Sequence, residues 1–190
     1  WHLLYRYFIL KYLNNALNKN YHFMKIFIFL LFFIPNYGFS ATINHIGEKG
    51  ESSEVDRVIV IKMYDNYFEP KEINIKKGET IKFLVQNFGS LVHEFNIATK
   101  KMHLKHQPEM LKMMENGILL GDKIDYKKMK EIAKTDHAMG HTHSNSVLLE
   151  PNKSGEIIWK FNTEIQLEAA CNVPGHYESG MSSKININFN

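Results

Sequence analysis

Near the C-terminus of this 190-residue chain, the segment Cys171-Asn172-Val173-Pro174-Gly175-His176-Tyr177-Glu178-Ser179-Gly180-Met181 sets a thiol, an imidazole and a thioether five residues apart. Pro174 and Gly175 mark it as a loop between two strand-like runs. A loop can turn several side chains toward one point, whereas a regular strand sends successive ones to opposite faces. A soft thiolate with an imidazole and a more distant thioether suits copper in both of its oxidation states. A trigonal plane needs a second imidazole. The best donor is His93, on a strand-like run at 91–98 just after the turn Asn87-Phe88-Gly89-Ser90. Two His, one Cys and a long axial Met make up a blue-copper ligand set.

Other chemistries fit less well. A nucleophilic Cys–His pair needs its cysteine at a helix N-terminus or beside a base, and Cys171 instead ends a strand-like run. Cys171 is the one cysteine of the chain, which excludes an intrachain disulfide, a cysteine-rich zinc site and a dinuclear copper site built on two thiolates. A multicopper oxidase needs several His-x-His pairs, and the chain has only His141-Thr142-His143. The bland alternative, a lone Cys acting as a small buried hydrophobe, leaves the Cys-x4-His-x4-Met spacing unexplained.

The elements that must position these groups read as β. Runs at 57–63, 72–76, 80–86, 91–98, 156–161, 167–171 and 184–189 are β-branched or alternating, and Lys77-Gly78-Glu79 forms a turn between two of them. Short strands at close spacing predict an antiparallel all-β sandwich or barrel. Residues 100–146 differ and read as a partly helical insertion. Pro108 opens a helical pattern over 109–115 with Gly117 as its stop, Asp125 precedes a second helix at 126–134, and 136–146 reads as a loop. Six of the nine Met and five of the ten His fall inside the insertion. Met110, Met113 and Met114 are spaced as an apolar helix stripe. His103, His106, His137, Met139, His141 and His143 offer imidazole and thioether donors for a second metal site.

Hydrophobic residues make up 44% and charged residues 23%, which argues against disorder, a collagen-like chain and a polytopic membrane protein. The formal charge of +3 comes from the first forty residues, where Arg6, Lys11, Lys19 and Lys25 have no acidic counterpart. Without these four, 19 Lys and Arg face 20 Asp and Glu, so there is no basic face for nucleic acid. Met24-Lys25, the nine apolar residues 26–34 and the small residues around Gly38, Ser40 and Ala41 have the layout of a secretory signal. Nine residues span about 14 Å as a helix, too short for a hydrocarbon core of about 30 Å. Residues 1–23 are read as a non-native upstream extension, 24–41 as a signal peptide, 42–56 as a flexible lead-in and 57–190 as the folded domain. No stable membrane span is expected once the signal is removed.

The run Tyr67-Phe68-Glu69-Pro70, the segment 73–83, Asn87-Phe88-Gly89, His93-Glu94-Phe95 and the closing Cys-x4-His-x4-Met resemble the plastocyanin/azurin-type cupredoxins. The resemblance covers 57–98 and 147–190. It implies a Greek-key β-sandwich, one type 1 copper, and His93, Cys171, His176 and Met181 as ligands. The His-Glu-Phe and Pro-Gly-His-Tyr-Glu-Ser-Gly-Met segments are most similar to periplasmic cupredoxins of copper tolerance. Two features depart from the common pattern: Glu94 follows the first His where many members have Asn, and the Met/His insertion is absent from simple electron carriers. The expected role is that of an exported, non-enzymatic periplasmic protein that handles copper. The alternative is an electron carrier with a redox partner protein. The exported protein is expected to begin near Ala41 or Thr42, and N-terminal sequencing of secreted material checks this; a start at Trp1 would remove the signal-peptide reading.

Overall fold

The computed structural model describes Lys11 and residues 45–188. The proposed upstream extension and signal peptide lie, apart from Lys11, outside the described residues. Ten strands occur among these residues: β1 (Glu48–Lys49), β2 (Arg57–Tyr64), β3 (Tyr67–Glu69), β4 (Glu72–Lys76), β5 (Thr80–Asn87), β6 (His93–Ala98), β7 (Ser146–Leu149), β8 (Ser154–Lys160), β9 (Leu167–Ala170) and β10 (Ser182–Asn188). They form two five-stranded sheets, ordered β1-β8-β5-β2-β3 and β4-β10-β9-β6-β7. The architecture is the expected β-sandwich.

The pairing is mixed rather than purely antiparallel. β2 runs parallel to β5, and β4 parallel to β10. The first of these pairings arises because the chain leaves β3 for the second sheet at β4 and then returns to lie beside β2. Alternation drives burial: Ile73 and Ile75 of β4 are buried while Glu72, Asn74 and Lys76 are exposed. Gly78 sits at φ +85° in the turn that follows, a conformation that favours glycine. Phe83 of β5 lies in the core, with its ring centroid 5.5 Å from Phe95 of β6 and 6.1 Å from Phe161.

Three strands carried too little pattern to be read in advance. β1, β3 and β7 are two, three and four residues long, below the length at which period-two alternation is distinctive. β1 also changes the picture of the expected flexible lead-in. Over 45–56 it pairs with β8, Ile46 is buried and its carbonyl accepts from Trp159 Nε1 at 3.0 Å, and Asp56 accepts from Thr80 N at 2.8 Å.

The insertion runs from the end of β6 to the start of β7. Its first helix, α1 (Lys100–Glu115), starts eight residues before the expected 108, and Pro108 lies inside it. Thr99 caps it by accepting from Met102 N at 3.2 Å. The hydrogen bond that proline removes falls between Leu104 and Pro108, both exposed. Met110 and Met113 are buried, but Met114 faces outward, so the methionine stripe is two residues rather than three. The second helix, α2 (Tyr126–Ile132), is capped by Asp125, which accepts from Lys128 N at 2.9 Å. Part of the expected loop is a 3-10 turn, His137–Gly140. No helix among the described residues is long and apolar enough to cross a membrane.

Phe83 is fully buried between two aromatic neighbours. Phe83→Ala is expected to cost about 3–5 kcal/mol through lost burial and a residual cavity, read as a lower guanidinium midpoint with an unchanged slope.

Candidate metal centre

The antiparallel pairing of β6 with β9 sets Asn96 opposite Ala170, which carries His93 and Cys171 to the same end of the second sheet. His93 is the first residue of β6, and Cys171 directly follows β9. The loop between β9 and β10 then returns on itself. His176 N donates to Val173 O at 2.9 Å, Met181 N to His176 O at 3.1 Å, and Cys171 N to Met181 O at 3.1 Å. These bonds close the loop and hold Cys171, His176 and Met181 at its base.

Three donor atoms converge. His93 Nδ1 lies 3.1 Å from His176 Nδ1, and Cys171 Sγ lies 3.3 Å from His176 Nδ1 and 3.9 Å from His93 Nδ1. A trigonal ion with bonds of about 2.0–2.3 Å keeps its N and S donors roughly 3.5–3.8 Å apart, so the triangle is of the right size. Cys171, His93 and Met181 are fully buried, and His176 is half-buried. The donor types and their spacing fit a soft, thiolate-preferring metal.

Neighbouring groups prepare each donor. Asp65 Oδ1 lies 3.1 Å from His93 Nε2. Burial pushes the Asp65 carboxyl up, but hydrogen bonds from Ser90, His93 and Leu91 outweigh it and bring its pKa down to about 2. An ionised Asp65 accepts a hydrogen bond from Nε2–H and leaves the Nδ1 lone pair facing Cys171. Burial holds the His93 and His176 imidazoles below their ordinary pKa, so both are neutral near pH 7. Burial pushes the Cys171 thiol up to about 12, and the nearby Glu94 carboxylate adds to this. The Glu94 N–H works the other way, donating to Cys171 Sγ at 3.3 Å. Gly89 lets the preceding turn approach closely: a methyl group there would lie 2.3 Å from Asp65 Oδ1 and 2.7 Å from His93 Nε2.

The six residues expected to form one second metal site separate. His106, His141 and His143 converge, each offering a donor atom within 4.8 Å of the others. His103, buried under the loop, lies 3.2 Å from Asn172 Nδ2 and stacks on Tyr177 at 5.7 Å. His137 is exposed on the 3-10 turn, and Met139 is buried in the hydrophobic core. Proximity in sequence misled here: His137 stays exposed on the turn at His137–Gly140 and outside the cluster, while helix α1 brings in His106 from 35 positions upstream.

Asp65 and Asn172 carried no sequence signal, because each acts through contacts made only in three dimensions. Glu94 did carry one. On β6 it shares the outer face with Asn96 and Ala98, opposite the core-facing Phe95 and Ile97. The insertion covers that face, and Glu94 is fully buried.

The Cupredoxin-like domain family matches residues 26–115. The copper-resistant cuproprotein CopI of Pseudomonas aeruginosa is 40% identical over 147 residues, 74% of this chain and 81% of its own length. The chain belongs to the CopI family of cupredoxins. The Rubrivivax gelatinosus CopI, also a copper-resistant cuproprotein, is 29% identical over 140 residues, covering 73% of this chain and 71% of its own. Reduced auracyanin from Roseiflexus castenholzii superposes with a TM-score of 0.50 at 18% identity, covering 70% of this chain and 98% of that one, and supports the fold alone. In this CopI-family chain, thiol reactivity checks the burial of Cys171. The metal-free folded protein at pH 8 is expected to react with a disulfide reagent roughly a thousandfold more slowly than the unfolded chain, following the thiolate fraction; equal rates would place the sulfur in solvent.

Proposed function

We propose that this chain is an exported copper-binding protein that handles copper in the periplasm and supports copper tolerance, with no organic substrate to turn over. One observation carries the reading: a buried thiol and two imidazoles stand 3.1–3.9 Å apart, on elements that pack rigidly around them. His93, Cys171 and His176 would be the in-plane ligands, with Met181 as the axial one. The copper-resistant cuproproteins to which the chain is related support the same role, and the signal-like pattern before Ala41 supports export.

Each side chain has a part. Cys171 supplies the anionic donor and must give up its proton. The Glu94 N–H compensates part of the resulting charge on sulfur. Asp65 fixes the His93 ring and its tautomer. The buried surroundings exclude water and limit rearrangement. Copper, when bound, supplies one-electron chemistry. A second reading, electron carriage, is favoured by His176: it alone of the four is only half-buried, so its ring edge is available to a partner protein.

Copper loading of the metal-free protein near pH 7.5 is expected to release about one proton per ion at this centre, because the thiol is protonated and both imidazoles are already neutral. Indicator-dye measurement in weak buffer checks the count. Cys171→Ala is expected to abolish the strong visible charge-transfer band. In cells, a deletion strain should be sensitive to excess copper and respire normally; the opposite pair of results would favour electron transfer.

A further inference from the structure

The cluster formed by His106, His141 and His143 stands on the outer face of β6, apart from the thiol centre. The ring centroids of His106 and His141 are 5.4 Å apart, those of His106 and His143 5.4 Å, and those of His141 and His143 5.1 Å. Two carboxylates flank them. Glu94 Oε1 lies 2.8 Å from His141 Nε2 and 3.2 Å from His106 Nε2. Glu109 lies 3.4 Å from both His106 Nδ1 and His143 Nε2.

The placing of Glu94 is costly without a cation. Its side chain has no solvent exposure, and a buried carboxylate needs both hydrogen bonds and positive charge nearby. Ser146 Oγ donates to it at 2.7 Å, Asn96 Nδ2 at 3.1 Å, and Asn172 at 3.2 Å from N and 2.7 Å from Nδ2. Among the described residues, the basic side chains that meet it are these two imidazoles, His106 and His141. Three imidazoles with two carboxylates form a nitrogen and oxygen donor set that prefers a divalent first-row ion, and copper(II) lies at the top of that affinity order. The exposure gradient gives a way in: side-chain exposure is 3% for His141, 11% for His106 and 40% for His143.

We propose that His106, His141 and His143 bind a second metal ion, copper(II), with Glu94 and Glu109 orienting the rings and balancing the charge. The choice of copper rests on the copper-handling role; the existence of the site rests on the cluster. The second site contains no thiolate, so it needs neither Cys171 nor the visible band.

The test titrates copper(II), and separately zinc(II), into the mature chain and follows calorimetry and electron paramagnetic resonance. The wild type should take up two copper(II) ions. Cys171→Ala should keep one, with a nitrogen-coordinated resonance and no charge-transfer band. The triple change of His106, His141 and His143 to Ala should keep the charge-transfer band and saturate at one ion. The triple variant also removes both imidazoles that meet the buried Glu94 carboxylate, so loss of folding is a separate route to loss of the site. His143→Ala alone avoids this, since His143 makes no bond to Glu94; it should weaken the second copper at least tenfold and leave the visible band unchanged. Saturation of the wild type at one ion, with His143→Ala indistinguishable from it, would overturn the site, as would zinc(II) binding there in the absence of copper(II) binding. Loss of the charge-transfer band from the wild type would instead overturn the thiol centre and leave the second site standing.

Discussion

The hydrogen bond from Glu94 N–H to Cys171 Sγ joins the two halves of the centre. It requires β6 and β9 to lie in one register, with Asn96 opposite Ala170 and Ile97 opposite Ala169. A slip of one residue would turn Glu94 toward the core and Phe95 toward the insertion. The aromatic packing of Phe95 against Phe68 and Phe83 resists that slip. The hydrophobic core, which includes Cys171 and Met181 themselves, thus fixes the position of the site.

The same residue unites the two departures from the simple cupredoxin pattern. A Glu directly after His93 and a Met/His-rich insertion look unrelated in the sequence. In three dimensions the insertion covers the outer face of β6, and the Glu94 carboxylate accepts from its histidines. Each needs the other: without His106 and His141 the carboxylate would be buried without a basic partner, and without Glu94 the two rings would lose the acceptor that orients them. The Glu94 backbone meanwhile serves the thiol. One residue therefore touches both donor clusters, through different atoms.

Much of this was legible in the sequence. The Cys-x4-His-x4-Met spacing and the strand-turn context of His93 named a donor set whose Cys and His atoms the structure brings within 3.9 Å of one another. The strict alternation of β4 matched its burial residue by residue. Local pattern failed where contacts are long-range. The short strands β1, β3 and β7 depend on their partners, the parallel pairing of β2 with β5 depends on a crossover between sheets, and the early start of α1 depends on the Thr99 cap prevailing over Pro108. The histidine cluster was half legible: its residue types stood out, while its membership followed from a helix that brings His106 beside His141.

Chain order has a consequence for when the thiol centre can exist. β10, at the C-terminal end of the described chain, does not lie at a sheet edge; it sits between β4 and β9, pairing with both. A polypeptide emerging amino-end first presents His93 long before Cys171, and the loop that closes on Cys171 has no anchor until β10 docks beside β4. Closure of the pocket thus depends on the final strand, and a product shortened by it leaves a split sheet and an open pocket in place of a weaker binder.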